Sequence, residues 1–255
     1  MMSLKPIWEF KMTNLFFAII GLIHLSHSQS ENNSNIQKRF FSGSVWVTNN
    51  GISLVPSLSL EKPATIFNMS MGQGKLSFDP ELRFSLEGKP WSFLFWWRYK
   101  LIHSGKFKFH IGTHPSFVFK NETVSINGAS KNILITSRYW AGEFVPSYGI
   151  GEHTRLGIYY LYSRGLNDFA TTDTHFLALN SDFSNIKLSD EFYLKFRPQF
   201  FYLKLDDRQG TYASSLLTLA KKKFPWSIAA ITTKTINSTI KSKDFVWNVN
   251  LIYSY

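Results

Sequence analysis

The chain has 255 residues, a formal net charge of +11 and a mean hydropathy of only −0.12, although 17% of its residues are aromatic. Cysteine is absent, which excludes disulfides, thiol catalysis, Cys–metal sites and a lipid-anchored cysteine. The basic residues are spread along alternating stretches and not gathered into a helix or tail, which argues against nucleic acid as a partner.

At the front, Leu15 to Leu25 is an apolar run of signal-peptide length, too short for a comfortable membrane helix. Lys5 and Lys11 precede it, and Ser26-His27-Ser28 supplies small residues at a cleavage site. Residues 1–28 are therefore expected to be a signal peptide cleaved after Ser28, with Met12 as an alternative start. Residues 29–43 read as a flexible N-terminal segment, leaving 44–255 as the folded domain. No other stretch is apolar for long enough to cross a membrane as a helix.

From there the period is two. Ser44 to Thr48 is a short extra strand or an extension, followed by the turn signal Asn49-Asn50-Gly51. Ile52 to Leu60 alternates and is expected to be the first wall strand, with Pro56 at a bulge. Thr65 to Met71 follows. In Lys75 to Glu87 every even residue is apolar or Pro and every odd residue polar, over more than the roughly 9–11 residues a tilted strand needs to cross a bilayer. Trp91 to Ile102 puts Trp91, Phe93, Phe95, Trp97, Tyr99 and Leu101 on one face, with Arg98 and Lys100 on the other. The next strand sets Phe107, Phe109, Ile111, Phe117 and Phe119 against Lys106, Lys108, His110, His114, Ser116 and Lys120. Residues 121–131 read as a polar loop. Strands are then expected over 133–148, with Arg138 on the more polar face, and near 155–163, 175–183, 191–200, 212–220 and 226–235.

The last stretch, Phe245 to Tyr255, has Phe245, Trp247, Val249, Leu251, Tyr253 and Tyr255 on one face. It resembles the closing strand of a Gram-negative outer-membrane β-barrel, a family in which alternating apolar residues end on an aromatic. The resemblance implies an all-β, transmembrane, antiparallel up-and-down barrel. It also implies that the barrel-assembly machinery reads Trp247, Val249, Leu251, Tyr253 and Tyr255, and that this strand pairs with the first. The count is twelve strands, with ten or fourteen also compatible with the pattern. An even number puts both termini on the periplasmic side and the connections at 121–131, 165–172 and 237–243 outside the cell. Lys75 or Arg83 turned toward mid-membrane lipid would cost roughly 2–4 kcal/mol each, so the charged face must look into an interior. Segments such as Gly88 to Phe93 and Tyr159 to Ser163 also look similar to uncharacterised outer-membrane proteins of Bacteroidota, which brings no known activity.

No P-loop, dinucleotide fingerprint, HExxH or GxSxG is present, and neither a cofactor nor a metal is expected. His110 and His114 share a face but stand about 13 Å apart along a strand. His114-Pro115-Ser116 matches the His-x-Ser part of the outer-membrane phospholipase A motif without its Asn-Gly, and it points to the lumen and not to lipid. The candidate lumen-lining residues are Glu81, Arg83, Arg98, Lys100, Lys108, Arg138, Arg155, Lys195 and Arg197. Their basic excess suggests a narrow pore for small, preferentially anionic solutes. The alternative is a closed structural or surface-binding barrel with a salt-bridged interior. Outer-membrane lipids and the assembly machinery are the other expected partners.

Overall fold

The structure, a computed structural model, describes residues 39–126 and 129–255. The expected signal peptide lies outside the described residues. Twelve strands follow in order: β1 (Arg39–Thr48), β2 (Ala64–Gln73), β3 (Leu76–Ser85), β4 (Pro90–Ile102), β5 (Phe107–Ile126) and β6 (Ala129–Gly149). The second half is β7 (Thr154–Gly165), β8 (Asp173–Lys187), β9 (Phe192–Leu205), β10 (Arg208–Lys221), β11 (Trp226–Ser238) and β12 (Phe245–Ser254). Each pairs antiparallel with its sequence neighbours, and β12 pairs with β1 to close the barrel. Closure follows from the solvent: a sheet edge in lipid would leave N–H and C=O groups unpaired.

The period-two pattern sorts the side chains. Leu76, Trp97, Phe144, Leu179, Trp247 and Leu251 are large, apolar and exposed, as a lipid-facing surface requires. On that face aromatic rings meet across strands, with Phe78 and Trp97 at 4.6 Å and Phe93 and Phe119 at 5.1 Å between centroids. Such pairs add roughly 0.5–1.5 kcal/mol each beyond area burial. Trp91 is an exception to the expected face. A register shift beside Arg83 and Phe84 makes it an extra residue in the β3–β4 ladder and turns it into the barrel, where it is buried.

β1 begins and β12 ends at one end of the barrel, where connections such as 74–75, 103–106 and 150–153 are short. The longer ones, 49–63, 166–172 and 239–244, lie at the opposite end, which is the extracellular end of such barrels.

Two further expectations are corrected. The first wall strand is Arg39–Thr48, not 52–60. Residues 49–63 instead fold back into the barrel as an inserted segment with a single 3-10 turn at Pro56–Leu58. Gly51 ties its two ends together, donating to the Lys62 carbonyl at 2.7 Å and accepting from the Leu60 N–H at 2.9 Å. Residues 121–131, expected as a loop, continue the β5–β6 ladder out to the Ile126–Ala129 pair. β4 accompanies β5 only to Val118 and β7 accompanies β6 only to Tyr139, so this ladder continues past both neighbours as a two-stranded ribbon.

The interior of the extracellular half holds an apolar cluster. Phe176 and Ala178 of β8, Phe201, Leu203 and Leu205 of β9, Tyr212 of β10 and Ile240 of the β11–β12 connection are buried together. Val55 of the inserted segment packs against them.

Candidate functional site in the barrel interior

The polar face of β3 presents Asp79, Glu81 and Arg83, and that of β4 presents Ser92, Trp96 and Arg98 beside them. Arg98 is the hub. Its Nη1 donates to Asp79 Oδ2 at 2.9 Å and its Nε donates to Glu143 Oε1 at 2.6 Å. Its guanidinium also lies 4.5 Å from the Trp96 ring centroid. Glu143, from β6, has 1% of its side chain accessible. It accepts a second bond from the Tyr159 hydroxyl at 3.0 Å, and His110 Nε2 lies 3.5 Å away. Gly112 makes room for it, because a Cβ there would come within 2.7 Å of Glu143 Oε1. Arg83 pairs with Glu81 and sits 4.9 Å over the Trp91 ring.

Of the residues anticipated from sequence, Glu81, Arg83 and Arg98 face a common interior cavity. Lys100, Lys108, Arg155, Lys195 and Arg197 sit nearer the end that carries the short connections. Lys100 lies over the Phe40 ring at 5.5 Å, and Lys195 over Tyr193 at 5.7 Å. Arg155 donates to the Ser147 hydroxyl at 3.3 Å, and Arg197 Nη2 donates to Asp182 at 2.7 Å. Arg138 does not belong in this set. It pairs with Phe117 on the outer face of the β5–β6 ladder and is exposed, beside the 166–172 connection. Trp96, Glu143 and Tyr159 were not anticipated as site residues. The signal for Glu143 was an acid placed between Gly142 and Phe144 in an otherwise aromatic and small-residue run.

The inserted segment divides the space inside. On one side lies a cavity of about 340 Å³, between Leu54, Val55 and Leu58 and the inner faces of β4 to β8. On the other side a cavity of about 230 Å³ is lined by Trp46, Ile66, Asn68 and Asn250. Ser53, Leu54, Glu81 and Arg83 border both, so the tip of the segment is the partition. Trp91 pins the segment by donating its indole N–H to the Leu58 carbonyl at 2.8 Å. His114 and Ser116 face the first of these cavities. The His114 Nδ1 lies 3.2 Å from the Pro115 carbonyl and its ring lies against Trp96, 3.9 Å between centroids.

The wall is closed, the outer band apolar and the interior charged. The chain is a twelve-stranded transmembrane β-barrel. No protein-family model matches it, and no curated protein does. Among solved structures it is similar to the KdgM porin in complex with disordered oligogalacturonate, at 9% identity over 84% of this chain and 99% of that one, TM-score 0.48. It is similar to the NanC porin at 9% identity over 83% and 97%, TM-score 0.47. A loop L8 deletion mutant of OmpT, an outer-membrane protein of Vibrio cholerae, matches at 9% identity over 87% and 100%, TM-score 0.45. Likeness at this level gives no residue-by-residue correspondence.

Proposed function

We propose that this barrel gives small solutes a restricted path through the outer membrane, with anions favoured over cations and residues 49–63 as the constriction. The observation that carries this reading is the ring of Lys100, Lys108, Arg155, Lys195 and Arg197 on inner faces toward the periplasmic end. In that ring only Arg197 has an acidic partner, Asp182, among the described residues. A field of that sign lowers the barrier for anions and raises it for cations along a wet path. Single-channel conductance in planar bilayers, with the reversal potential measured in a KCl gradient, tests it. Small, anion-selective events are expected. Cation selectivity would contradict the reading.

A second reading has its own observation. Deeper in, Arg83 and Arg98 are engaged by Glu81, Asp79 and Glu143, and the apolar cluster with Val55 fills the extracellular half. In a permanently closed barrel these pairs would serve stability, and function would reside in the external loops and the β5–β6 ribbon. A silent bilayer for both the native protein and a variant lacking the inserted segment would favour that reading.

A further inference from the structure

Facing the cavity of about 340 Å³ is a row of hydroxyls, one from each of five consecutive strands: Ser92, Ser116, Tyr139, Ser163 and Thr174. Two steps of the row are direct pairs, Ser116 with Tyr139 and Ser163 with Thr174; the other two are diagonal, since Ser92 pairs with Val118 and Ser163 with Ala141. All five side chains are buried, and the Ser92 hydroxyl has no hydrogen-bond partner among the described residues. A buried polar group left without a partner is unfavourable and uncommon, and calls for an explanation. Most of the rest of the lining is apolar, with Leu54, Val55 and Leu58 of the inserted segment, and Phe176 two residues along β8 from Thr174. Neither arginine on the lining is free for an anion, since Arg83 pairs with Glu81 and Arg98 with Asp79 and Glu143 behind it.

Hydroxyls both donate and accept, an apolar wall matches C–H groups, and paired charges offer no free counter-ion. We propose that this cavity binds one neutral, polyhydroxylated ring compound, a cyclic polyol or a single sugar ring. Its hydroxyl edge lies along Ser92 to Thr174 and its C–H face lies on Leu54, Val55 and Phe176. At about 340 Å³ the space is near the lower end of the roughly 300–1,000 Å³ of small-molecule sites, which suits one ring and not a chain. The inference rests on solutes entering the interior, as proposed above, but binding is read without transport, so the two fail separately. A silent bilayer with calorimetric binding would remove the pore and leave the site; conductance without binding would do the reverse.

The test is isothermal titration of the purified, folded barrel in detergent with D-glucose and myo-inositol. D-glucuronate serves as the charged ring and cyclohexane-1,2-diol as the hydroxyl-poor ring. A neutral probe is expected to bind at millimolar or lower concentration, with glucuronate and the diol each weaker by about tenfold, the equivalent of one lost hydrogen bond. Ser92→Ala is expected to weaken that binding by about tenfold while raising the thermal midpoint, because it deletes an unpartnered buried group. A merely structural Ser92 would instead lower the midpoint and leave binding unchanged. Ser163→Ala supplies a second variant should Ser92→Ala fail to fold. No binding of either neutral probe at tens of millimolar, preference for glucuronate, or binding indifferent to both substitutions would overturn the proposal.

Discussion

Glu143 keeps its carboxylate almost entirely out of solvent because Arg98, Tyr159 and His110 surround it. Such a group is stable only as a set. Breaking a buried pair from one side typically costs about 3–5 kcal/mol, while removing both charges is far cheaper. Arg98→Met should therefore lower the unfolding free energy of the vesicle-inserted barrel by about that amount in urea titrations. Adding Glu143→Gln to that variant should recover more than half of the loss. A second residue-scale constraint lies at Gly43. An added Cβ would stand 2.5 Å from the Tyr255 hydroxyl and 2.7 Å from the Asn68 carbonyl oxygen. The second contact is backbone and cannot swing away. Gly43→Val should thus reduce the fraction of heat-modifiable, folded protein on gels, and truncating Tyr255 as well should restore it only in part.

At the scale of elements, the inserted segment shows what alternation can and cannot say. Ile52 to Leu60 does alternate, but alternation alone does not make a wall strand: the stretch turns at Pro56–Leu58, and Ser53 and Leu54, from opposite faces of the pattern, border the same two cavities. The true first strand was hard to read because Gly43 interrupts its outer face and Trp46 puts a large ring on its inner one. β3 to β5 and β12 were legible because lipid on one side and water on the other enforce a strict alternation over the thickness of a bilayer. The β5–β6 ribbon was missed for the same reason in reverse: past the membrane both faces are wet and residues 120–123 are all polar. The interior pairs were legible as charges but not as partners, since Arg98 and Glu143 are 45 residues apart. Because Gly51 and Leu60 are already joined by a hydrogen bond, residues 52–59 can be replaced by a short Gly-Ser link. That variant should fold and show severalfold larger conductance in planar bilayers.

For the whole molecule, the distribution of charge along the interior sets an order: a basic inner mouth, a compensated middle and an apolar outer half. Lys100→Glu with Lys108→Glu changes the charge at those two positions from +2 to −2, counting one unit for each side chain. The reversal potential in a KCl gradient should then move toward cation selectivity. Replacing Tyr253 and Tyr255 by Asp tests the other end of the molecule's life. Both rings stand on the outer face, with Tyr253 5.0 Å from Trp226 and Tyr255 5.9 Å from Phe41. Strongly reduced insertion, seen as loss of the folded band from membrane fractions, is expected.

The seam between β1 and β12 has only five paired positions, Ser44 with Ser254 through Thr48 with Asn250, extended by the reciprocal Gly43–Tyr255 bonds of 3.1 and 3.0 Å. The other ladders unite sequence neighbours and can zip while the chain is still being threaded. This one joins groups such as Asn248 and Asn50, 198 positions apart. Until β12 is delivered, the molecule is a curled sheet with two raw edges, and its amides there have no acceptor inside a bilayer. A copy stalled short of β12 is therefore not a weaker barrel but a different object, whose open edges would template pairing with the next copy. Quality control has one stitch to inspect.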